Sequence, residues 1–419
     1  MQLQLHAVET TFPLIKLPFD LITNILSFLI KHQDSKVHGS NLIFVNHLFA
    51  KAAIPYIWSH LYLKEPTQRN IFNILQTSPT KLMFNYRMMV KTVTICPISI
   101  SNMKSGGLLT SLELVQNILP NITSLNIEDR LSFCHVCHVG KEATTEQVAD
   151  LICNKKDLDK LMIDSDHYIF NDDLLEIITK KSHLKHLSIN GSNFTDDGIL
   201  NYVIPNLKND LVEFSIGFDG ISPVELTGKS VLAILEHCPN IRRMSLEGVN
   251  LNDSDFDIEN LPSSQLEHLR LGKTCHQNFT TKGLLSLLSI CHKTLISLVL
   301  DLDHLSPSVL QDIIIPLFQH QNLQELHLVS ESWAEWIAYY PRPRSEHEIK
   351  AKEAMWRWKL KAYWGLSADL MNLVGKKIST LKIFSILGEN HLKSKKKKKK
   401  KNHFSITILG LGLSGIDIC

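Results

Sequence analysis

A chain of 419 residues with 44% hydrophobic content can build a large core and is too long for one ordinary compact domain. Its formal net charge of +2 hides an asymmetry: Lys395 to Lys401 are consecutive lysines, and without those seven the basic residues are outnumbered by the 42 acidic ones. A mildly acidic body argues against a nucleic-acid surface spread over the molecule. No stretch approaches the ~20 apolar residues of a membrane span. Met1 to Thr11 lacks the basic and then apolar run of a secretory signal. Eight scattered cysteines fit reduced thiols in the cytoplasm or nucleus. Neither nucleic acid nor membrane is expected as a partner.

The first predicted element follows Leu17 and Pro18. Leu21, Ile25, Leu26 and Leu29 fall on one helical face, and Pro18 sits where a missing N–H does least harm. A polar break runs from Lys31 to Ser40. A second apolar segment then covers residues 41–61, with Val45, Asn46, Phe49, Ala53, Pro55, Trp58 and Leu61. Periodicity predicts a helical hairpin, marginal alone at that size.

This pair of segments resembles the F-box. The positions that match are Leu17, Pro18, Leu21, Ile25, Leu26 and Leu29, then Val45, Asn46, Phe49, Ala53, Pro55, Trp58 and Leu61. Two departures are Ile22-Thr23-Asn24, where an acidic residue is usual, and Phe49, where tryptophan is common. The resemblance implies docking on a Skp-family adaptor, and through it on a cullin–RING ubiquitin ligase. The implied adaptor-binding residues are Leu17, Pro18, Leu21, Ile25, Leu26, Val45, Asn46 and Trp58. For Leu29, Phe49 and Leu61, internal packing explains the apolar side chain as well.

Next along the chain comes an apolar-x-x-apolar-x-apolar repeat. Weak copies stand at Val90, Ile122 and Ile378. Strong copies begin at Leu158, Leu184, Leu211, Ile241, Leu266, Leu295 and Leu323, in steps of 26, 27, 30, 25, 29 and 28 residues. These steps suit a leucine-rich repeat of roughly 20–29 residues. The last two apolar positions alternate as on one face of a short strand. Gly198–Ile204, Val231–Leu235, Leu284–Ile290 and Val309–Ile315 read as helix segments between strands. Several units resemble the cysteine-containing subtype of leucine-rich repeat. Thr195-Asp196-Asp197-Gly198 fits its turn, with Thr195 or Asp196 as helix N-cap. Cys238-Pro239 fits its exit and Cys291 more loosely, both cysteines acting as small buried hydrophobes.

The predicted fold class is therefore α/β: an N-terminal all-helical F-box, then a curved leucine-rich-repeat solenoid with a parallel inner sheet and outer helices. The predicted boundaries are 12–63 for the F-box, 64–89 for a connecting helical segment and 90–330 for the solenoid. Residues 331–390 form an aromatic-rich insertion and terminal repeat, and 391–419 a lysine-rich, disordered tail. The insertion holds five of the six tryptophans, with a helix predicted from Ser345 to Trp364. No function is assigned to the tail.

Residues between the strand leucines form columns on the inner face. One column runs Lys160, His186, Glu213, Arg243, His268, Ser297, Glu325. The next runs Met162, Ser188, Ser215, Ser245, Arg270, Val299, His327. Arg243, His268 and Arg270 make a basic cluster suited to an acidic or phosphorylated segment. With His186 and Lys160 they are the candidate substrate-binding residues. Glu247 lies close enough in the pattern to offset them.

Cys134-His135-Val136-Cys137-His138 fits the form of a haem attachment and offers four metal ligands. Five adjacent residues do not easily wrap a tetrahedron, and no second motif completes a haem pocket, so a loop is expected. No cofactor, metal site or catalytic constellation is predicted. The reading is a non-catalytic substrate receptor of an SCF (Skp–cullin–F-box) ubiquitin ligase acting on an unknown protein substrate. The alternative is a repeat scaffold whose N-terminal hairpin merely caps the first repeat.

Overall fold

The computed structural model describes residues 19–23, 47–63, 71, 74, 75, 77, 84–95, 107–129, 144–165, 170–217 (except 182 and 192), 225–256, 263–272, 279–301 (except 292), 322–329, 383–387 and 405–409. These fall into two compact units. The first holds residues 19–128 and 154–158. The second holds residue 129, 144–153 and everything described from 159 onward.

In the first unit, residues 19–23 are helical, with the Thr23 hydroxyl donating to the Phe19 carbonyl at 2.9 Å. Helix α1 (His47–Ser59) buries Ala50, Ala52, Ala53 and Ile54. The Lys51 ammonium lies 5.9 Å from the centre of the Phe19 ring, so the two helical segments touch. Chain order then gives β1 (His60–Leu63), α2 (Tyr86–Met89), β2 (Thr92–Ile95), α3 (Gly107–Ile118) and β3 (Ser124–Asp129). The three strands are parallel, with Leu61 opposite Val93 and Val93 opposite Leu125.

One expectation changes here. The N-terminal segment was expected to be all-helical, with its second apolar stretch over residues 41–61, yet 60–63 form a strand. His60-Leu61-Tyr62-Leu63 alternates, and Leu61 and Leu63 are both buried. That is the two-residue period of a strand, and a neighbouring strand to pair with decides the matter.

The second unit is a run of parallel strands in chain order. They are β4 (Lys160–Ser165), β5 (His186–Asn190), β6 (Glu213–Gly217), β7 (Arg243–Leu246), β8 (His268–Leu271), β9 (Ser297–Asp301), β10 (Glu325–Val329), β11 (Ile383–Leu387) and β12 (Ser405–Leu409). Helices α4 (Thr145–Cys153), α5 (Asp172–Lys181), α6 (Asp196–Leu207), α7 (Gly228–His237) and α8 (Thr281–Ile290) alternate with the earlier strands, and a 3-10 turn spans Asp253–Phe256.

The register joins like positions of successive repeats. Leu161, Leu187, Phe214, Met244, Leu269, Leu298 and Leu326 are consecutive partners across the sheet. Every one is at most 2% exposed, as are Leu184, Leu211, Ile241, Leu266, Leu295 and Leu323. Each such side chain contributes roughly 1.5–3 kcal/mol on burial. Since it buries against the next repeat, stability belongs to the stack.

Two expectations change in this unit. Helix α6 is not a plain α-helix, because Ile199–Val203 takes π-helical bonding before Ile204–Leu207 resumes α. Pro205, which has no N–H to give, lies just past that turn. The weak copy starting at Ile378 would set Leu381 opposite Leu326, whereas Phe384 holds that place. Leu381-x-x-Phe384-x-Ile386 satisfies the same template three residues later. The predicted helix at Val309–Ile315, the Ser345–Trp364 helix, the Cys134–His138 motif and the lysine run lie outside the described residues.

Candidate functional site

The candidate site is the groove over β4–β8, on the sheet face away from the leucines. Its volume is about 360 Å³, and its lining includes Lys160, Met162, His186, Ser188, Asn190, Glu213, Ser215, Ser245, Glu247 and Arg270. The pleat alone explains this set. In each strand, alternate residues point to the core, and the residues between them are turned to the open face. The ladder then aligns Lys160 with His186, Glu213, Arg243 and His268, and Met162 with Ser188, Ser215, Ser245 and Arg270. Both columns stand as the repeat pattern predicts.

The charges are arranged differently from the expected cluster. Arg270 Nε lies 3.1 Å from Glu247 Oε1, and Arg243 Nη1 lies 3.8 Å from Glu213 Oε2. The same Glu213 oxygen is 3.0 Å from His186 Nδ1. Arg243, His268 and Arg270 do sit on adjacent strands, but the two arginines each face a carboxylate. The offset expected from Glu247 is present, and Glu213 adds a second. All of these side chains are part-exposed, so each pair is worth at most about 1 kcal/mol.

Sequence reasoning placed Ser188, Ser215 and Ser245 in a column without assigning them a role. They line the groove, together with Asn190 and Glu247. The signal was visible as three serines in successive repeats at one strand position.

Of the adaptor-binding candidates, Leu21 and Trp58 are described, and Leu17, Pro18, Ile25, Leu26, Val45 and Asn46 lie outside the described residues. Leu21 is 45% exposed and its neighbour Phe19 41%, while Ile22 is 1% exposed. The helical turn therefore buries Ile22 and turns Leu21 outward. Trp58 is half-buried, with its ring centre 4.4 Å from that of Tyr86. Leu61 is buried, as internal packing requires. The scaffold alternative would bury the Leu21, Ile25 and Leu26 face against the repeat from Val90; of these Leu21 is exposed, and Ile25 and Leu26 lie outside the described residues.

The cysteines of the repeat exits behave as hydrophobes. Cys238 and Cys291 are each 1% exposed, and burial pushes their thiols up to about 11 and about 12. Among the described residues no group of three or more His, Cys, Asp or Glu side chains is placed to hold a metal ion. No described helix is long and apolar enough to cross a membrane.

The sequence matches no family model and no curated protein. Among solved structures, the crystal structure of the Rad7 and Elc1 complex in yeast is similar, with 13% identity over 88% of each chain and a TM-score of 0.43. A likeness of that order bears on neither activity nor partner. The repeat architecture stands on the chain's own strands and their register.

Proposed function

We propose that the chain is the substrate-recognition subunit of an SCF-type ubiquitin ligase. Its N-terminal segment docks a Skp-family adaptor, and its repeats hold a protein substrate for ubiquitination and proteasomal degradation. The observation that carries this is the exposure of Leu21 and Phe19 on a helical turn whose Ile22 is fully buried. Large apolar side chains turned to solvent on a small helical unit are suited to a partner. They fall within the stretch whose residues resemble the F-box.

The chain acts in this role without catalysis of its own. It raises the effective concentration of a target lysine near a conjugating enzyme, and the reactive thiol belongs to another protein. The setting is the cytoplasm or nucleus. Affinity purification after proteasome inhibition tests the proposal. Wild-type chain should bring down a Skp-family adaptor and a cullin, and a Pro18→Ala, Leu21→Ala variant should bring down neither. Equal recovery by both proteins would refute it.

A further inference from the structure

The groove over β4–β8 has an uneven supply of partners for its charges. At the β8 end, Arg270 is paired with Glu247, and in the middle His186 and Arg243 share Glu213. At the β4 end, Lys160 forms no ion pair among the described residues. In the neighbouring column, the hydroxyls of Ser188, Ser215 and Ser245 make no hydrogen bond among the described residues. Among the described residues, the groove thus offers an unpaired ammonium at Lys160 and three hydroxyls at one position of successive strands.

We propose that this groove binds an extended polar protein segment lying across the strands, with an anionic side chain seated at the Lys160 end. The proposal rests on the reading that the repeats hold a protein substrate, and it names the feature of that substrate being read. From Lys160 on β4 to Arg270 on β8 there are four interstrand steps, about 19 Å at ~4.8 Å each, which about six extended residues span. The hydroxyl line can donate to and accept from the backbone of such a segment. Lys160 supplies the charge. Carboxylate and phosphate share the chemistry that an ammonium recognises. The Arg243 and Arg270 pair, which sequence alone favours, is a weaker anion site, because an arriving anion would compete with Glu213 and Glu247.

Three fluorescent hexapeptide pools test this on the full-length protein. All positions are degenerate except the third, which is phosphoserine, aspartate or serine. Polarisation titrations should show the phosphoserine or the aspartate pool, or both, bound about tenfold more tightly than the serine pool. A stronger phosphoserine arm would identify phosphate as the anion, and equal arms any carboxylate or phosphate. Lys160→Gln should erase the preference, while Arg243→Gln should change it less than about twofold. Ser188→Ala with Ser215→Ala should weaken all the pools. Lys160 is a part-exposed side chain, so its replacement leaves the fold intact. Equal binding of all three pools, binding of none, or a preference that survives Lys160→Gln would overturn the assignment. Adaptor recovery, measured separately, tells the two proposals apart: a chain that selects anionic pools without binding an adaptor keeps the groove assignment and loses the ligase role.

Discussion

Asp196 and Thr227 belong to successive repeats and are joined by two hydrogen bonds. The Asp196 carboxylate accepts the Thr227 N–H at 2.9 Å and the Thr227 hydroxyl at 2.6 Å. That hydroxyl in turn accepts the Lys229 N–H and so caps α7. The arrangement recurs: Asp172 receives Thr195 at the start of α6, and Asp253 receives Thr280 at the start of α8. At these three junctions one repeat thus supplies the carboxylate that holds the helix cap of the next.

The Asp196–Thr227 pair should show coupling of about 1 kcal/mol in a double-mutant cycle of Asp196→Ala and Thr227→Val, measured by denaturant unfolding. Additive losses would mean that the aspartate and the cap act independently.

Gly198 should resist alanine even though it lies in a helix. A methyl group there would run into the Asp172 carboxylate of the preceding repeat. The ordinary helix gain of up to about 1 kcal/mol is therefore reversed, and Gly198→Ala should destabilise by about 1–3 kcal/mol. In an Asp172→Ala background the same change should be neutral or stabilising. Equal losses in both backgrounds, read from thermal unfolding, would remove the steric explanation.

The two outer caps should respond to pH in opposite senses. Burial raises the Asp172 carboxyl above its usual range, against the hydrogen bonds from Thr195. Its contribution to stability is present below the usual aspartate value and is lost as pH rises through the raised one. At Asp253 burial also pushes upward, but hydrogen bonds from the Thr280 hydroxyl and N–H and the Gly283 N–H outweigh it, so the carboxyl titrates low. That contribution is present above the usual value and is lost as pH falls through the lowered one. Between about pH 3 and pH 6, the stability of wild type relative to Asp172→Asn should fall as pH rises, and relative to Asp253→Asn it should rise. Slopes of the same sign would contradict this.

Cys238 and Cys291 should stay unmodified when the native protein is treated with iodoacetamide at pH 8 and mapped by mass spectrometry. Burial leaves almost no thiolate at either and blocks the reagent. Labelling of both in denaturant completes the control. Native labelling at either position would mean that its repeat opens.

Strand phase was legible in the sequence because leucine, isoleucine and phenylalanine recur at fixed offsets, and that alone aligned Lys160, His186, Glu213 and Arg243 correctly. The frame near Ile378 was misread because Ile378, Leu381, Ile383, Phe384 and Ile386 satisfy the template twice. Strand β1 was missed because Leu61 follows a helix without a break, and pairing with Val93 decides its conformation. Thr195 was readable as a cap, but Asp172 as its partner was not, since that contact crosses 23 residues. The pairing of Arg243 with Glu213 likewise depends on neighbouring strands, so the expected basic cluster looked freer than it is.

The most direct measurement is the affinity of the purified full-length chain for a purified Skp-family adaptor, taken by titration calorimetry with wild type and Leu21→Asp. Leu21 is 45% exposed, so the substitution leaves the helical turn's own core, around Ile22, in place. Wild type should bind, and Leu21→Asp should bind about 100-fold more weakly, the loss expected when an apolar anchor becomes a charge. Unfolding of the two proteins at the same temperature would place the effect at the interface. No binding by wild type, or the same affinity for both, would contradict the adaptor-docking role.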